Sequence, residues 1–425
     1  MAQNMQRSTF QQKSPSLPVI NDYHGIPDVL SSPTISSPCN TNIIPPTNSN
    51  RTLVLCFDGT GDQFDTDNSN VVRLFSMLVK NHPSQKVYYQ AGIGTYTIPE
   101  IATPLVANIS KKLDMMTGRH LDAHVMGGYE FLMQNYELGD RICVFGFSRG
   151  AHTARALVGM IIPKRSPFAR TNNCIKHFRH ALSLDERRVR FKPSAWERVN
   201  KRDKELSGVT SVGKSNVEEV WFAGCHCDVG GGSVTNDARN SLARIPLRWM
   251  VREIFKAEVG ILFHRETFKD IGMDPETLYP HVRERPDIIY HQPLCTSTHS
   301  SPSSMVQNPP KLADPTDIYS DFESEELEDV ADATSLKNDE LCRNPLWWIL
   351  EVIPQQVFYQ ESLRDHDIET WTVNFGAGRH VPRQHKDGIK IHRSVRIRMK
   401  ADHLTDGKYK PKATLDPRVE PEWID

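Results

Sequence analysis

No stretch of this 425-residue chain comes near the ~18–20 consecutive apolar residues that a membrane-spanning helix needs. The strongest candidate, Leu346 to Ile349, is cut short by Glu351 and Pro354. The N-terminus has no apolar stretch of the signal-peptide kind. The eight cysteines, at 39, 56, 143, 174, 225, 227, 295 and 342, form no dense, evenly spaced framework. Cys56 and Cys143 fall inside apolar runs, where a free thiol acts as a small hydrophobe. These absences predict a reduced, cytoplasmic protein. An excess of positive charge is missing too: 51 Lys and Arg against 52 Asp and Glu leave a formal net charge of −1. No long-range field gathers phosphates, so no nucleic-acid partner is expected. Peripheral contact with a membrane stays open, and the oligomeric state is not legible.

What is present divides the chain. Residues 1–50 are rich in Ser, Pro, Asn and Thr and predict a disordered tail. A second such stretch, about 296–340, ends in the acidic run Asp321, Glu323, Glu325, Glu326, Glu328, Asp329 and reads as a flexible insertion within one domain over 51–425. Elsewhere, apolar runs alternate with helical patterns. Thr52–Phe57 suits a strand buried on both faces, and Asn70–Lys80 carries Val71, Leu74, Phe75 and Leu78 on one helix face. Val87–Ala91, Arg141–Phe147 and Glu219–Gly224 read as further strands, and Asp122–Tyr136 and Ala151–Ile162 as helices. Such alternation predicts an α/β fold with a doubly wound, mainly parallel sheet.

The segment ICVFGFSRGAHTAR, 142–155, gives that fold a chemistry. An apolar strand runs into Gly146-Phe147-Ser148-Arg149-Gly150 and a helix follows at once, the G-x-S-x-G nucleophile elbow of the α/β-hydrolase type. The serine sits on a sharp turn, so the residues two before and two after it must lack bulk. The Arg149 amide, at the helix start, faces a developing oxyanion. A second amide is expected from the loop after the first strand, at Gly59 and Thr60 of Asp58-Gly59-Thr60-Gly61.

In this fold the triad follows the order Ser, acid, His. Asp228 emerges just past the strand EVWFAG, before three glycines, and is the expected acid. A metal site of Cys225, His226, Cys227 and Asp228 is the rival. Along an extended chain the two cysteines would point away from His226 and Asp228, so neither metal nor other cofactor is expected. Order alone leaves His380, His385 and His392 open as the base, while His152 and His226 read as packing residues. Gly208 to Ser215 matches the P-loop pattern G-x-x-x-x-G-K-[ST]. It lacks the preceding buried strand and following helix that would aim amides at a phosphate.

Seven segments in order, LVLCFDGTGD (53–62), NVVRLF (70–75), YYQAGIGT (88–95), VFGFSRGAHTAR (144–155), LSLDERRVRF (182–191), EVWFAGCHCDVGGG (219–232) and IHRSVRIR (391–398), resemble an α/β-hydrolase family. That family, long labelled a domain of unknown function, includes catalytic domains of type VI secretion phospholipase effectors and many fungal proteins. The resemblance implies an ester hydrolase, phospholipase-like in its bacterial members, with Ser148 as nucleophile and Asp228 as acid. It also favours His392, because the family histidine precedes Ser-Val and an Arg. The loop DGTGDQF departs from the common DGTWN or DGTGN. The expectation is therefore a serine hydrolase of a small or lipid ester, working through an acyl-enzyme. The alternative is a non-catalytic interaction module on the same fold. Pro345-Leu346-Trp347-Trp348-Ile349-Leu350, the most aromatic stretch outside the strands, either packs as a helix on the core or anchors at a lipid boundary.

Overall fold

The computed structural model describes residues 42–46, 50–92, 121–161, 175–196, 215–290, 324–360, 367–402, 404 and 407–425. Most of the expected tail, residues 296–323 of the expected insertion, and 208–214 of the P-loop-like segment lie outside them.

The elements that carry the argument are β1 (Thr52–Phe57), α1 (Asn70–Met77), β2 (Gln85–Gln90), α2 (Leu121–Asn135), β3 (Arg141–Gly146), α3 (Arg149–Ile161), β4 (His177–Ser183), β5 (Asn216–Phe222), α4 (His226–Gly230), α5 (Arg244–Lys256), α6 (Glu325–Ala333), α7 (Trp348–Glu351), β6 (Gln355–Gln360), β7 (Asp367–Thr372), β8 (Lys390–His392), α8 (Ser394–Lys400) and β9 (Glu422–Ile424). The strands form two parallel sheets, ordered β2-β1-β3 and β9-β8-β5-β4, beside the antiparallel hairpin β6–β7.

β1 is buried along its whole length. Leu53, Leu55 and Phe57 pack with Val125 and Leu132 of α2 and with Ala154 and Leu157 of α3. Val54 and Cys56 pack on the opposite face, with Val71 and Leu74 of α1 and Leu247 and Val251 of α5. The period-2 alternation of a strand thus places helices on both faces. Each fully buried Leu or Phe contributes about 1.5–3 kcal/mol. In the second sheet Val220 and Phe222 of β5 meet Ile245 and Trp249 of α5, and Trp221 meets Ile391 and Val395. Helix α5 therefore serves both sheets.

Two expectations change. Within the expected tail, Ile43–Ile44 pairs antiparallel with Phe263–His264, and Ile44 is buried in the core. The acidic run expected to be flexible is, from Ser324 on, the helix α6, capped by the Ser324 side chain on the Leu327 amide. Its acids face an arginine ladder on α5, spaced one per turn. Arg244 meets Glu328 at 2.7 Å, Arg248 meets Asp329 and Asp332 at 2.7 Å each, and Arg252 meets Glu325 at 2.6 Å. Arg285 adds bonds to Asp329 at 2.9 Å and Glu325 at 3.3 Å. Such charges leave water only when paired, and here every acid has a guanidinium waiting.

Candidate active site

Ser148 has a left-handed backbone, φ +54°, which costs a non-glycine residue roughly 1–2 kcal/mol. The glycines on either side explain how the turn closes. A Cβ on Gly146 would lie 2.5 Å from the Gly150 carbonyl oxygen, and one on Gly150 would lie 2.3 Å from that of Phe57. The Phe147 amide donates to the Phe57 carbonyl at 3.1 Å, so the carboxyl ends of β3 and β1 are tied together. Strand, strained serine and helix succeed one another as the motif predicts.

The loop after β1 lies alongside. Buried Asp58 accepts from the Gly59 amide at 2.8 Å, Ser69 Oγ at 2.5 Å and Tyr89 Oη at 2.8 Å. Burial raises its pKa, and these three donors oppose the rise. The amide of Gly59 is thereby engaged by its own neighbour. Thr60 reaches the elbow through its side chain: its Oγ1 accepts from Arg149 Nε.

After β5 the chain does not stay extended, as expected, but turns at once into α4. Asp228 lies at its third residue and reaches back to the Cys225 amide at 2.9 Å. Asn338 encloses the same carboxylate through its backbone amide at 3.0 Å and its Nδ2 at 2.8 Å. Burial raises the Asp228 pKa against these bonds. Among the described residues no group of three or more His, Cys, Asp or Glu side chains is arranged to hold a metal.

His226 opens α4 and stacks on Phe147, with ring centroids 4.8 Å apart. The carboxyl end of β3 therefore meets that of β5. The His226 amide donates to Glu186 Oε2 at 3.2 Å, and Glu186 is clamped by Arg188 at 2.8 Å. Burial pushes the His226 imidazole down to about 3, and its Nε2 has no hydrogen-bond partner among the described residues.

His392 ends β8, whose Ile391 pairs with Trp221 of β5. It stands behind this group. Its ring stacks on Phe222 at 4.9 Å, its Nδ1 lies 2.8 Å from Ser394 Oγ, and burial lowers its pKa to about 3. Among the described residues, none of Ser148, Asp228 and His392 is hydrogen-bonded to another of the three. They do share one setting: each lies at or just beyond the carboxyl end of a parallel strand.

A cavity of about 2250 Å³ runs between the edge strands β3 and β4. Ser148, Gly146, Arg149, Thr60, His152 and His226 line it, whereas Asp228 and His392 do not. Apolar Phe147, Leu346, Trp347 and Ile349 form other parts of its wall. Sequence reasoning missed Asn338, Glu186 and Arg188. Asn338 was hidden in a segment read by composition. The DERR run that carries the other two was visible, but its partner His226 lies 40 positions away.

The chain matches a family profile described as T6SS, phospholipase effector Tle1-like, catalytic domain, over residues 51–164 and 162–253. The first matched segment includes Ser148 and the second Asp228. The uncharacterized protein YEL023C of Saccharomyces cerevisiae is 40% identical over 119 residues, which are 27% of this chain and 17% of that protein. A crystal structure of an uncharacterized protein from Pseudomonas aeruginosa overlaps 50% of this chain and 46% of its own, at 16% identity and a TM-score of 0.32, too low to define a shared fold. The chain thus spans about a sixth of the yeast relative and under half of the bacterial one. No described helix is long and apolar enough to cross a membrane.

Proposed function

We propose that this chain is a serine hydrolase that cleaves a carboxylic ester, of lipid character, through an acyl-enzyme on Ser148. The observation that carries the reading is the left-handed backbone of Ser148 between two glycines that have no room for a Cβ. Strain of this kind is kept where it exposes a reacting group. The match to a phospholipase catalytic domain supports a lipid ester, as do the apolar cavity walls. The two sheets then read as one interrupted, doubly wound hydrolase sheet, β2-β1-β3-β4-β5-β8-β9. Its strand order reverses at β1 and β3, where ligands of such sheets bind.

In the proposed reaction a histidine takes the Ser148 proton as Oγ attacks the ester carbonyl. The Arg149 and Thr60 amides receive the oxyanion, joined by Gly59 if Asp58 releases it. The histidine returns its proton to the departing alcohol oxygen as the ester C–O bond breaks. Water, deprotonated by the same histidine, then cleaves the acyl-enzyme and frees the acid and Ser148. The family pattern makes Asp228 the acid and His392 the base, the first in α4 just after β5 and the second at the end of the adjacent strand β8. His392 must exchange its Ser394 bond to act. A second reading makes His226 the base, because it packs against the elbow, lines the Ser148 cavity and has an Nε2 without a partner among the described residues. Fluorophosphonate labelling tests the common core of both: wild type labels and Ser148→Ala does not, with unchanged circular dichroism. An unlabelled wild type would instead leave the fold as an interaction module.

A further inference from the structure

Sixteen large hydrophobic side chains are exposed among the described residues, and seven of them fall within 346–353 and 371–375. Leu346, Ile349, Val352 and Ile353 are each about half exposed, while Trp371 and Phe375 are exposed by 69% and 68%. Trp348, the seventh, joins the two segments, since a Cβ on Gly376 would lie 3.1 Å from its ring.

The segments are held side by side from beneath. The window Pro345–Ile353 contains one charge, Glu351, and it points inward, 1% exposed. Its carboxylate accepts from the Val189 amide at 2.7 Å, Asn374 Nδ2 at 2.5 Å and the Gly376 amide at 3.1 Å. Its carbonyl accepts from the Phe375 amide at 3.1 Å. The buried acid thus fastens the 374–376 turn under α7 and leaves an uncharged face outward. Trp348 satisfies its indole N–H on the Leu341 carbonyl at 3.0 Å and asks nothing of a partner. Phe375 is held at φ +49°, a backbone that Asn or Gly occupies at less cost. An exposed aromatic kept in a strained turn points to a use for the ring.

We infer that this face, built on α7 and the turn after β7, docks on a lipid surface and delivers the ester to the Ser148 cavity. Leu346 and Ile349 belong to both the face and the cavity wall, so an acyl chain leaving a lipid layer meets apolar side chains throughout. A protein partner would be recognised through a polar rim and hydrogen bonds. Apart from the Trp347 N–H, the side chains that the window turns outward carry no hydrogen-bonding group to offer, whereas aromatic and aliphatic side chains without charge suit a headgroup boundary.

The inference rests on the ester-hydrolase reading only for its purpose, and the test separates the two. The full chain is sedimented with phosphatidylcholine vesicles, as wild type, Ser148→Ala and the double variant Val352→Glu with Phe375→Asn. Neither substituted surface residue lines the cavity. Wild type and Ser148→Ala should sediment alike. The double variant should lose about tenfold in vesicle partition and in vesicle-ester hydrolysis, while keeping its melting temperature and its turnover of a short soluble ester. Equal sedimentation of the double variant, or no sedimentation of wild type, overturns the docking face. A wild-type dimer in gel filtration that Val352→Glu breaks also overturns it, because a second copy then covers the patch. An active Ser148→Ala that still sediments sinks the hydrolase reading and leaves the docking face standing.

Discussion

The ring of Phe147 lies over that of His226, 29° from parallel, and this contact links two sheets that share no strand hydrogen bonds among the described residues. Phe147 immediately precedes the strained serine, while His226 begins the turn that carries Asp228. The relative placement of the Ser148 turn and the Asp228 turn therefore depends in part on this pair of rings. Gly230, one turn beyond His226, completes the seat: a Cβ there would come within 1.7 Å of the Phe147 ring.

Gly230→Ala should consequently displace Phe147 rather than act on α4 alone. Overpacking of this kind costs about 1–3 kcal/mol. Urea denaturation should register that loss, and probe labelling of Ser148 should slow in the same variant. Unchanged stability and labelling would mean that the ring pair positions nothing.

The histidines are separable by kinetics. If His392 is the base, His392→Ala should reduce turnover by roughly 10³-fold or more, as a residue acting as a unit with the nucleophile does, and His226→Ala should act through stability. The reverse pattern, an inactive but folded His226→Ala beside an active His392→Ala, assigns the base to His226.

Breaking the arginine ladder should be severe. Arg248→Met leaves Asp329 and Asp332 buried without their shared partner, a loss of roughly 3–5 kcal/mol, read as a lower urea midpoint. Adding Asp329→Leu and Asp332→Leu should recover part of it, because the two orphaned carboxylates are gone while Arg285 keeps Glu325 and Arg244 keeps Glu328. A triple variant as unstable as the single one would contradict this account.

Acid should destabilise the fold in two stages. His226 and His392 are neutral in the folded state, with pKa values near 3 against an ordinary 6.5. Between those values the unfolded chain binds more protons, so their contribution is complete above about 6.5 and is lost as pH falls toward 3. Burial would raise Asp329, but Arg285 and Arg248 hold it well below the usual carboxylate range. Its loss begins only below about 3.9. Melting temperatures taken from pH 7.5 to 4.5 should decline, and His392→Phe should flatten the slope. An unaltered slope would show that His392 does not titrate on unfolding.

The parts legible in the sequence are those whose cause is local. The β1 run TLVLCF, the stripe Val71, Leu74 on α1, and the strand–glycine–serine–glycine–helix order are all set within about one element length, and the structure contains parallel sheets accordingly. The acidic run was opaque for the opposite reason. Glu325 and Asp329 look like solvated charge until Arg252 and Arg248, 73 and 81 positions earlier, are seen beside them. The Cys225–Asp228 segment was read by strand alternation, whereas a three-residue reach from Asp228 back to the Cys225 amide bends it into a helix. The neighbours of His392, Phe222 and Ser394, were no clearer. Residue order along the chain says nothing about which face of β8 the ring takes.

The ladder also bears on how the chain can be made. Arg252 leaves the ribosome 73 residues ahead of Glu325, an interval of about 4–15 s at ordinary elongation rates. During that interval the three guanidinium groups of α5 lack the carboxylates that pair with them in the fold. The first sheet packs on Leu247 and Val251, the other face of α5, and needs none of those carboxylates. A fragment ending at residue 253, where the phospholipase-domain match stops, has the arginines of the ladder and none of its α6 carboxylates, so its isolated α5 would expose three unpaired cations to water.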